Sequence, residues 1–520
     1  MTLASHARVL TPARLLVALI AAALAVSLSD RLSAAQNGKD PFQGLDQAIE
    51  RSRTVFEVPG LGLAIIKGDS LIYAKGYGVR KLGDATPVDG RTTFAIGSAS
   101  KAFTAAALGI LVDEGKVKWD DPVTRYLPEF EMYDSYASKE MRLRDLVTHR
   151  SGLLRGDLLW YGTTLSREEI IRRVRYLKPT WSLRTQFGYQ NLMFLTAGQV
   201  SARVEGRSWD DIIRERFLIP LDMAGANTSV RSLAQMSNVA TPHSRIRDTV
   251  RAISYRNIDN IAPAGSINAT PLEMGNWVRM WLGQGKFRGK QILSQAQVTE
   301  ATSPQFIIND PTWKLLFGST SDFLTYGFGW IVQDYRGHKL VSHGGNIDGM
   351  SALISFLPKS DLGIVVLTNL NGTQAPQAVT LEVIDRFLGL ERRDWTTTIK
   401  QVIAGLEARG DSAAKRREAG RVKDSKPSLA LASYAGTFSD SLYGDVTLRE
   451  EAGKLVLTFG LRQGASATLE HWHFDTFRAT WNDPTMGTSM LTFHLGGDAK
   501  VRSVEVEGLG AFVRAPERTR

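Results

Sequence analysis

Ser98-Ala99-Ser100-Lys101 sets a hydroxyl and an amine three residues apart. On a helix that spacing puts both groups on one face, a turn apart. A serine oxygen is a weak nucleophile until a neighbouring base takes its proton. An amine can do so only when neutral, and the reference pKa of lysine is about 10.4. Burial, together with a nearby cation or a hydrogen-bonding phenol, would lower it. Such a pair performs acyl transfer. The same spacing also fits an ordinary serine helix start followed by a solvated lysine. It recurs at Ser412-Ala413-Ala414-Lys415, in a polar stretch where that plainer reading applies.

The elements around the first pair distinguish it from the second. Phe103, Ala106, Ala107, Ile110 and Leu111 recur at the spacing of one helix face, and Gly115 stops the helix. Ser98 is thus expected in a first helical turn, where unpaired N–H groups and the helix dipole favour a developing anion. Tyr189-x-Asn191 lies on a turn entering an apolar helix, and His343-Gly344-Gly345 ends a strand just before a hairpin. Tyr255-Arg256-Asn257 and Lys81-Leu82-Gly83 repeat these patterns without the following helix or hairpin.

Residues 61–78 read as two strands around a Gly68-Asp69 turn, and 351–369 as two more, with the apolar 362–368 a buried central strand. The chain between is mostly helical. Ser166 with Glu169 offers a capping box, and a further helix runs from Thr270 to near Gly283. One sheet assembled from both ends of this segment, covered by helices, makes an α/β domain over 40–390. Residues 391–430 are polar and rich in Arg, Lys and Ala, and read as a linker. From 431 to 520 the pattern is all strand, with hairpins over 443–460, around Ala452-Gly453, and over 488–508. That predicts a small antiparallel barrel or sandwich.

The chain has 520 residues, which suits two or more domains, and 43% are hydrophobic, as in a folded globular protein. Its net charge of +10 is densest over 409–426, where Asp411, Glu418 and Asp424 interleave, so a solvated face outweighs nucleic-acid binding. There is no cysteine, which excludes disulfides, thiolate nucleophiles and cysteine-based metal sites. Arg8 and Arg14 precede the apolar run 15–28, and Ser33-Ala34-Ala35 follows it. Residues 1–35 thus read as a secretory signal peptide and the mature protein as exported, periplasmic or secreted. An uncleaved membrane anchor is the alternative.

Ser-x-x-Lys, then Tyr-x-Asn, then a basic residue before glycine is an ordered pattern that resembles the serine β-lactamase and penicillin-binding protein superfamily. The segment 45–388 is similar to its class C-like branch, with support from VPGLGLAIIKGDSLIYAKGYG, LRDLVTHRSGL, PAGSINATPLEM and YGFGW. The resemblance implies an antiparallel sheet flanked by helices, with an inserted helical region. It implies that Ser98 is the acylated nucleophile and Lys101 its base or the stabiliser of its proton transfer. It implies that Tyr189 relays a proton to the leaving group and that Asn191 orients substrate and lysine. The backbone N–H groups of Ser98 and Asn346 would form the oxyanion hole, and Gly344 and Gly345 would let substrate lie along the strand edge. His343 departs from the lysine usual in penicillin-recognising members. Histidine is mostly neutral near pH 7, so anchoring of a substrate carboxylate is in question and ester or small-peptide amide hydrolysis is favoured. The tail resembles a lipocalin-like C-terminal domain found on some of these hydrolases.

Other polar residues read as structural. His149 is expected to hold a loop, and His471, His473 and His494 to decorate a barrel wall rather than bind a metal. Trp119 to Pro122 reads as a turn, and Trp277 and Trp281 as a packed helix face. The expectation is a cofactor-free serine hydrolase acting on a small ester, peptide or β-lactam, with a homo-oligomer possible in principle. The rival is a non-hydrolytic penicillin-binding or peptidoglycan-sensing protein on the same fold.

Overall fold

The computed structural model describes residues 40–516 apart from 312, 315–320 and 463. The segment read as a signal peptide lies outside the described residues.

Eight antiparallel strands form the main sheet. In chain order they are β1 (Gly60–Lys67), β2 (Ser70–Gly78), β3 (Phe306–Ile307), β4 (Leu324–Tyr326), β5 (Ile331–Tyr335), β6 (His338–Ile347), β7 (Met350–Leu357) and β8 (Leu362–Thr368). Across the sheet the order is β2-β1-β8-β7-β6-β5-β4-β3. The two ends of the segment therefore meet at β1 and β8, as their hydrophobic patterns require. β8 is buried along its whole length between β1 and β7. Side chains alternate across the sheet. Leu61, Leu63 and Ile65 join one core, under helices α1 (Leu45–Val55) and α5 (Ala375–Phe387). Ala64 and Ile66 join the other, under α4 (Pro271–Leu282). Thr270 closes a complete capping box at the start of α4. At Ser166 only half of the box forms, because the Glu169 carboxylate pairs with Arg172 and Arg173 instead.

The helix behind Ser98 is α2 (Lys101–Asp113). Sequence spacing suggested a single apolar face, but every residue from Lys101 to Leu111 is buried. The alanines on its remaining sides let α3 (Asn191–Glu205) and shorter helices close around it. On α4, Trp277 stacks on Phe103 with ring centroids 3.6 Å apart, and Trp281 sits edge-on to Trp277. Both tryptophans are core, as expected.

Residues 391–430 are not an irregular connector. They contain a helix, α6 (Trp395–Ala419), whose N-cap Asp394 accepts from Thr397 N–H and grips Arg51 with both oxygens. Trp395, Ile399, Val402, Ile403 and Leu406 form an apolar stripe along its first half, and in its second half Ala, Arg, Lys and Glu favour the helix themselves. Ser412 donates to the Ala408 carbonyl on its exposed face, which leaves the second Ser-x-x-Lys without chemistry.

The C-terminal region is a closed eight-stranded barrel in sequence order, from β9 (Gly436–Asp440) to β16 (Gly510–Arg514). Phe438, Phe477, Phe493, Trp481 and Phe512 fill its interior together with aliphatic side chains. His471, His473 and His494 make separate contacts, with the Phe474 carbonyl, Val422 N–H and Glu505.

Candidate active site

Ser98 lies in a tight 3-10 turn, Gly97–Ser100, rather than in the first α-helical turn. Ser100 fixes that turn by donating to the Gly97 carbonyl at 2.8 Å and accepting from Ile267 N–H at 3.1 Å. The helix then begins at Lys101. Lys101 Nζ is 3.0 Å from Ser98 Oγ and 2.8 Å from the Ala264 carbonyl. The side chain is 0% exposed. Burial holds its amine well below the usual lysine range, and the charge of Arg155 adds to that effect. A neutral amine in this place can accept the Ser98 proton.

Tyr189 immediately precedes α3, which Gln190 caps by accepting from Leu192 N–H. The Tyr189 phenol borders the same space as Ser98, and burial raises its pKa. Lys101 Nζ lies 4.9 Å from the centre of its ring. Ser98, Lys101 and Tyr189 therefore meet in space. His149 is fully buried beside them; its Nδ1 accepts from Gln190 N–H at 2.9 Å, and its carbonyl accepts from Gly188 N–H. It holds the segment that carries Tyr189.

Asn191 lines the same cavity, but its amide donates to Asp157 at 2.8 Å and makes no described bond to Lys101. The described bonds of the Lys101 amine, which Asn191 was expected to orient together with substrate, go to Ser98 and the Ala264 carbonyl. Asp157 also accepts from Trp160 Nε1 at 2.9 Å and pairs with Arg155 at 2.6 Å. The Arg155 guanidinium in turn lies 5.4 Å from the Tyr189 ring centre. Arg155, Asp157 and Trp160 had no spacing signature; a charged pair inside LLRGDLLW, next to a left-handed Gly156, was the available hint.

His343 is 2% exposed and both ring nitrogens are engaged. Nδ1 is 2.6 Å from the Gly344 carbonyl, which can only accept, so Nδ1 carries the proton. Nε2 then accepts from the Tyr326 hydroxyl at 2.8 Å. Burial, with the nearby Lys101, pushes the His343 pKa down to about 3. The ring is neutral and braced, which differs from a side chain free to bind substrate. Tyr326 escaped the sequence reading although it opens YGFGW.

The strand edge at His343 is open. β6 pairs with β7 from Val341 to Ile347, but β5 stops opposite Ser342. The 3-10 turn packs into the gap. A Cβ on Gly345 would sit 1.8 Å from the Ile96 carbonyl and 3.0 Å from Ser98 N, and one on Gly97 would sit 2.9 Å from Asn346 N. Those two positions must be glycine for strand and turn to meet. A Cβ on Gly344 meets nothing closer than 3.5 Å, so this glycine is not forced by packing. The side chain of Asn346 turns away, accepting from Ser351 and Gly372 N–H. A cavity of about 350 Å³ opens above Ser98, walled by Trp160, Ile258, Ile261, Trp313 and Ile347.

Comparison with known proteins places both domains in described families. Residues 45–387 match the family model described as Beta-lactamase, and residues 420–516 match Domain of unknown function (DUF3471). The chain is similar to Unguisins hydrolase ungD of Aspergillus violaceofuscus, at 26% identity over 480 residues, 86% of this chain and 84% of that one. Among solved structures it resembles the octameric penicillin-binding protein homologue from Pyrococcus abyssi, at 19% identity and a TM-score of 0.60, covering 91% of this chain and 99% of that one. It also resembles D-amino acid amidase from Ochrobactrum anthropi, at 22% identity and a TM-score of 0.54, over 66% of this chain and 97% of that one.

Proposed function

The chain belongs to the Beta-lactamase family, and on that premise we propose that it is an exported serine hydrolase that forms an acyl-enzyme on Ser98 from small neutral amides or esters. The observation that carries the reading is Lys101, a fully buried amine with no ion pair among the described residues, 3.0 Å from the Ser98 hydroxyl.

In this mechanism Lys101 takes the Ser98 proton as Oγ adds to the substrate carbonyl. The resulting oxyanion is met by the N–H groups of Ser98 and Asn346, which the close approach of turn and strand brings together. The Lys101 proton passes through Tyr189 to the leaving nitrogen or oxygen, and the carbon–heteroatom bond breaks. Water then attacks the ester, losing its proton along the same path, and Ser98 regains its own. Lys101 and Tyr189 share one proton network, so their ionisation belongs to the pair.

Substrate choice follows from the walls. Trp160, Ile258, Ile261, Trp313 and Ile347 make one side apolar, while of the polar residues beside them His343 is neutral, Asn191 is bonded to Asp157 and Arg155 is already paired with Asp157. A neutral acyl group thus suits the cavity better than one bearing a carboxylate. The open edge of β6 suits an extended backbone. One similar protein is named a hydrolase of unguisins, and the name of another, a D-amino acid amidase, favours amides. Export rests on residues 1–35 and is tested by sequencing the mature N-terminus.

The functional test is a panel of p-nitrophenyl esters, D-aminoacyl amides and nitrocefin. The expected result is repeated turnover of neutral esters or amides in preference to nitrocefin. Stable acylation without turnover would overturn hydrolysis and leave a binding protein.

A further inference from the structure

Among the described residues the barrel contributes no side chain to the wall of the cavity, yet it touches one segment that does and is linked through Arg256 to another. One is the loop that follows Arg155 and carries Trp160. The other is the turn between β6 and β7, which begins just after Asn346. Between them stands Tyr161. Its hydroxyl donates to Asp348 of the β6–β7 turn at 2.5 Å. Two guanidinium groups lie over its ring, Arg256 at 4.3 Å and the barrel's Arg462 at 5.2 Å from the centre. Arg462 is 5% exposed and packs against Gly162. Arg256 bonds to Asp348 and, at 3.0 Å, to Asp483 of the barrel. A second foot stands nearby, where Arg173 donates to the Leu442 carbonyl at 3.0 Å.

This chain of contacts begins in the barrel and ends at two parts of the site. Through Tyr161 it reaches Trp160, whose indole bonds to the carboxylate that also holds Asn191 and Arg155. Through Asp348 it reaches the strand end that supplies Asn346 N–H. Charges half-buried in this way are held by several partners at once, which fixes them more firmly than a lone surface pair. We propose that the barrel is a working part of the active site: Arg462 and Asp483 are positioning residues that hold the Trp160 loop and the β6–β7 turn in register with Ser98. Arg256, in the Tyr255-Arg256-Asn257 triplet that the sequence reading set aside, is the link between the two domains.

The inference rests on acylation at Ser98. The experiment measures the rate of fluorophosphonate labelling in the full chain for wild type, Asp483→Asn, Asp483→Glu and Arg462→Met. Glu507→Gln, which removes the exposed ion pair between the barrel and Arg417 of α6 but keeps an oxygen for Met490 N–H, serves as control. A displacement of the oxyanion donor is expected to slow labelling about tenfold in Asp483→Asn and Arg462→Met. Asp483→Glu should recover to within about twofold of wild type, with melting temperatures within about 3 °C throughout. Asp483 is part-exposed, so its variants read out even if Arg462→Met fails to fold. Labelling at the wild-type rate in Asp483→Asn and in folded Arg462→Met overturns the inference alone. So does a loss that Glu507→Gln shares. A wild type that is never labelled overturns the reading of Ser98 and this inference with it.

Discussion

Replacing His343 by Gln tests whether this ring is a buried brace or a titrating anchor. Glutamine can donate to the Gly344 carbonyl and accept from Tyr326, the two bonds that His343 makes. It cannot take a proton. The folded chain holds His343 at about 3, against an ordinary value of 6.5 that the unfolded chain recovers. Between those values the unfolded state binds the extra proton. The contribution is therefore fully present above pH 6.5 and is lost as the pH falls toward 3. From pH 7 to pH 5 the loss amounts to about 2 kcal/mol. His149 and His243 are held down in the same direction, but they remain in both proteins and cancel in the difference. Chemical denaturation followed by tryptophan fluorescence at both pH values gives the comparison. Wild type should lose about 2 kcal/mol more than His343→Gln. Equal losses would refute the buried neutral ring and restore His343 as a cation for substrate carboxylates.

The other predictions concern the base and the strand. Lys101→Met should lower acylation by at least about 100-fold, the usual weight of a general base. In wild type, kcat/KM should rise with pH to a plateau reached well below 10.5, because the base acts when neutral and its pKa is depressed; a rising limb centred near 10.5 in a pH–rate profile would contradict this. Gly345→Ala should cost about 100-fold in hydrolysis, since its Cβ drives the strand away from the Ile96 carbonyl beside Ser98. Gly344→Ala should retain most activity at short acyl chains, because its nearest neighbour is 3.5 Å away, and steady-state kinetics on both variants checks the contrast.

The legible parts of the sequence were those in which neighbours along the chain stay neighbours in space. Ser98 and Lys101 are joined by helical spacing, and β8 announces its burial by seven residues of which nearly all are apolar. The ordered motifs also located Tyr189 and His343. Their surroundings were less visible. Tyr326 reaches His343 from another strand, and Arg155 reaches Tyr189 from a loop, so no local pattern marks either contact. His343 looked like a substrate contact because its position beside the glycines is explicit, whereas its two bonds depend on the sheet closing around it. The helix Trp395–Ala419 was read as linker from its polar, Arg-, Lys- and Ala-rich composition, which outweighed the short apolar stripe from Trp395 to Leu406. The link from Arg256 to Asp483 spans 227 positions, and only the folded chain reveals it.

The central claim is that Ser98 becomes acylated with Lys101 as its base. Intact-protein mass spectrometry after fluorophosphonate treatment, followed by peptide mapping, tests it most directly. The account predicts a single adduct on Ser98 in wild type and none in Ser98→Ala with an unchanged circular dichroism spectrum. An adduct that persists in Ser98→Ala, or maps to another serine, contradicts it.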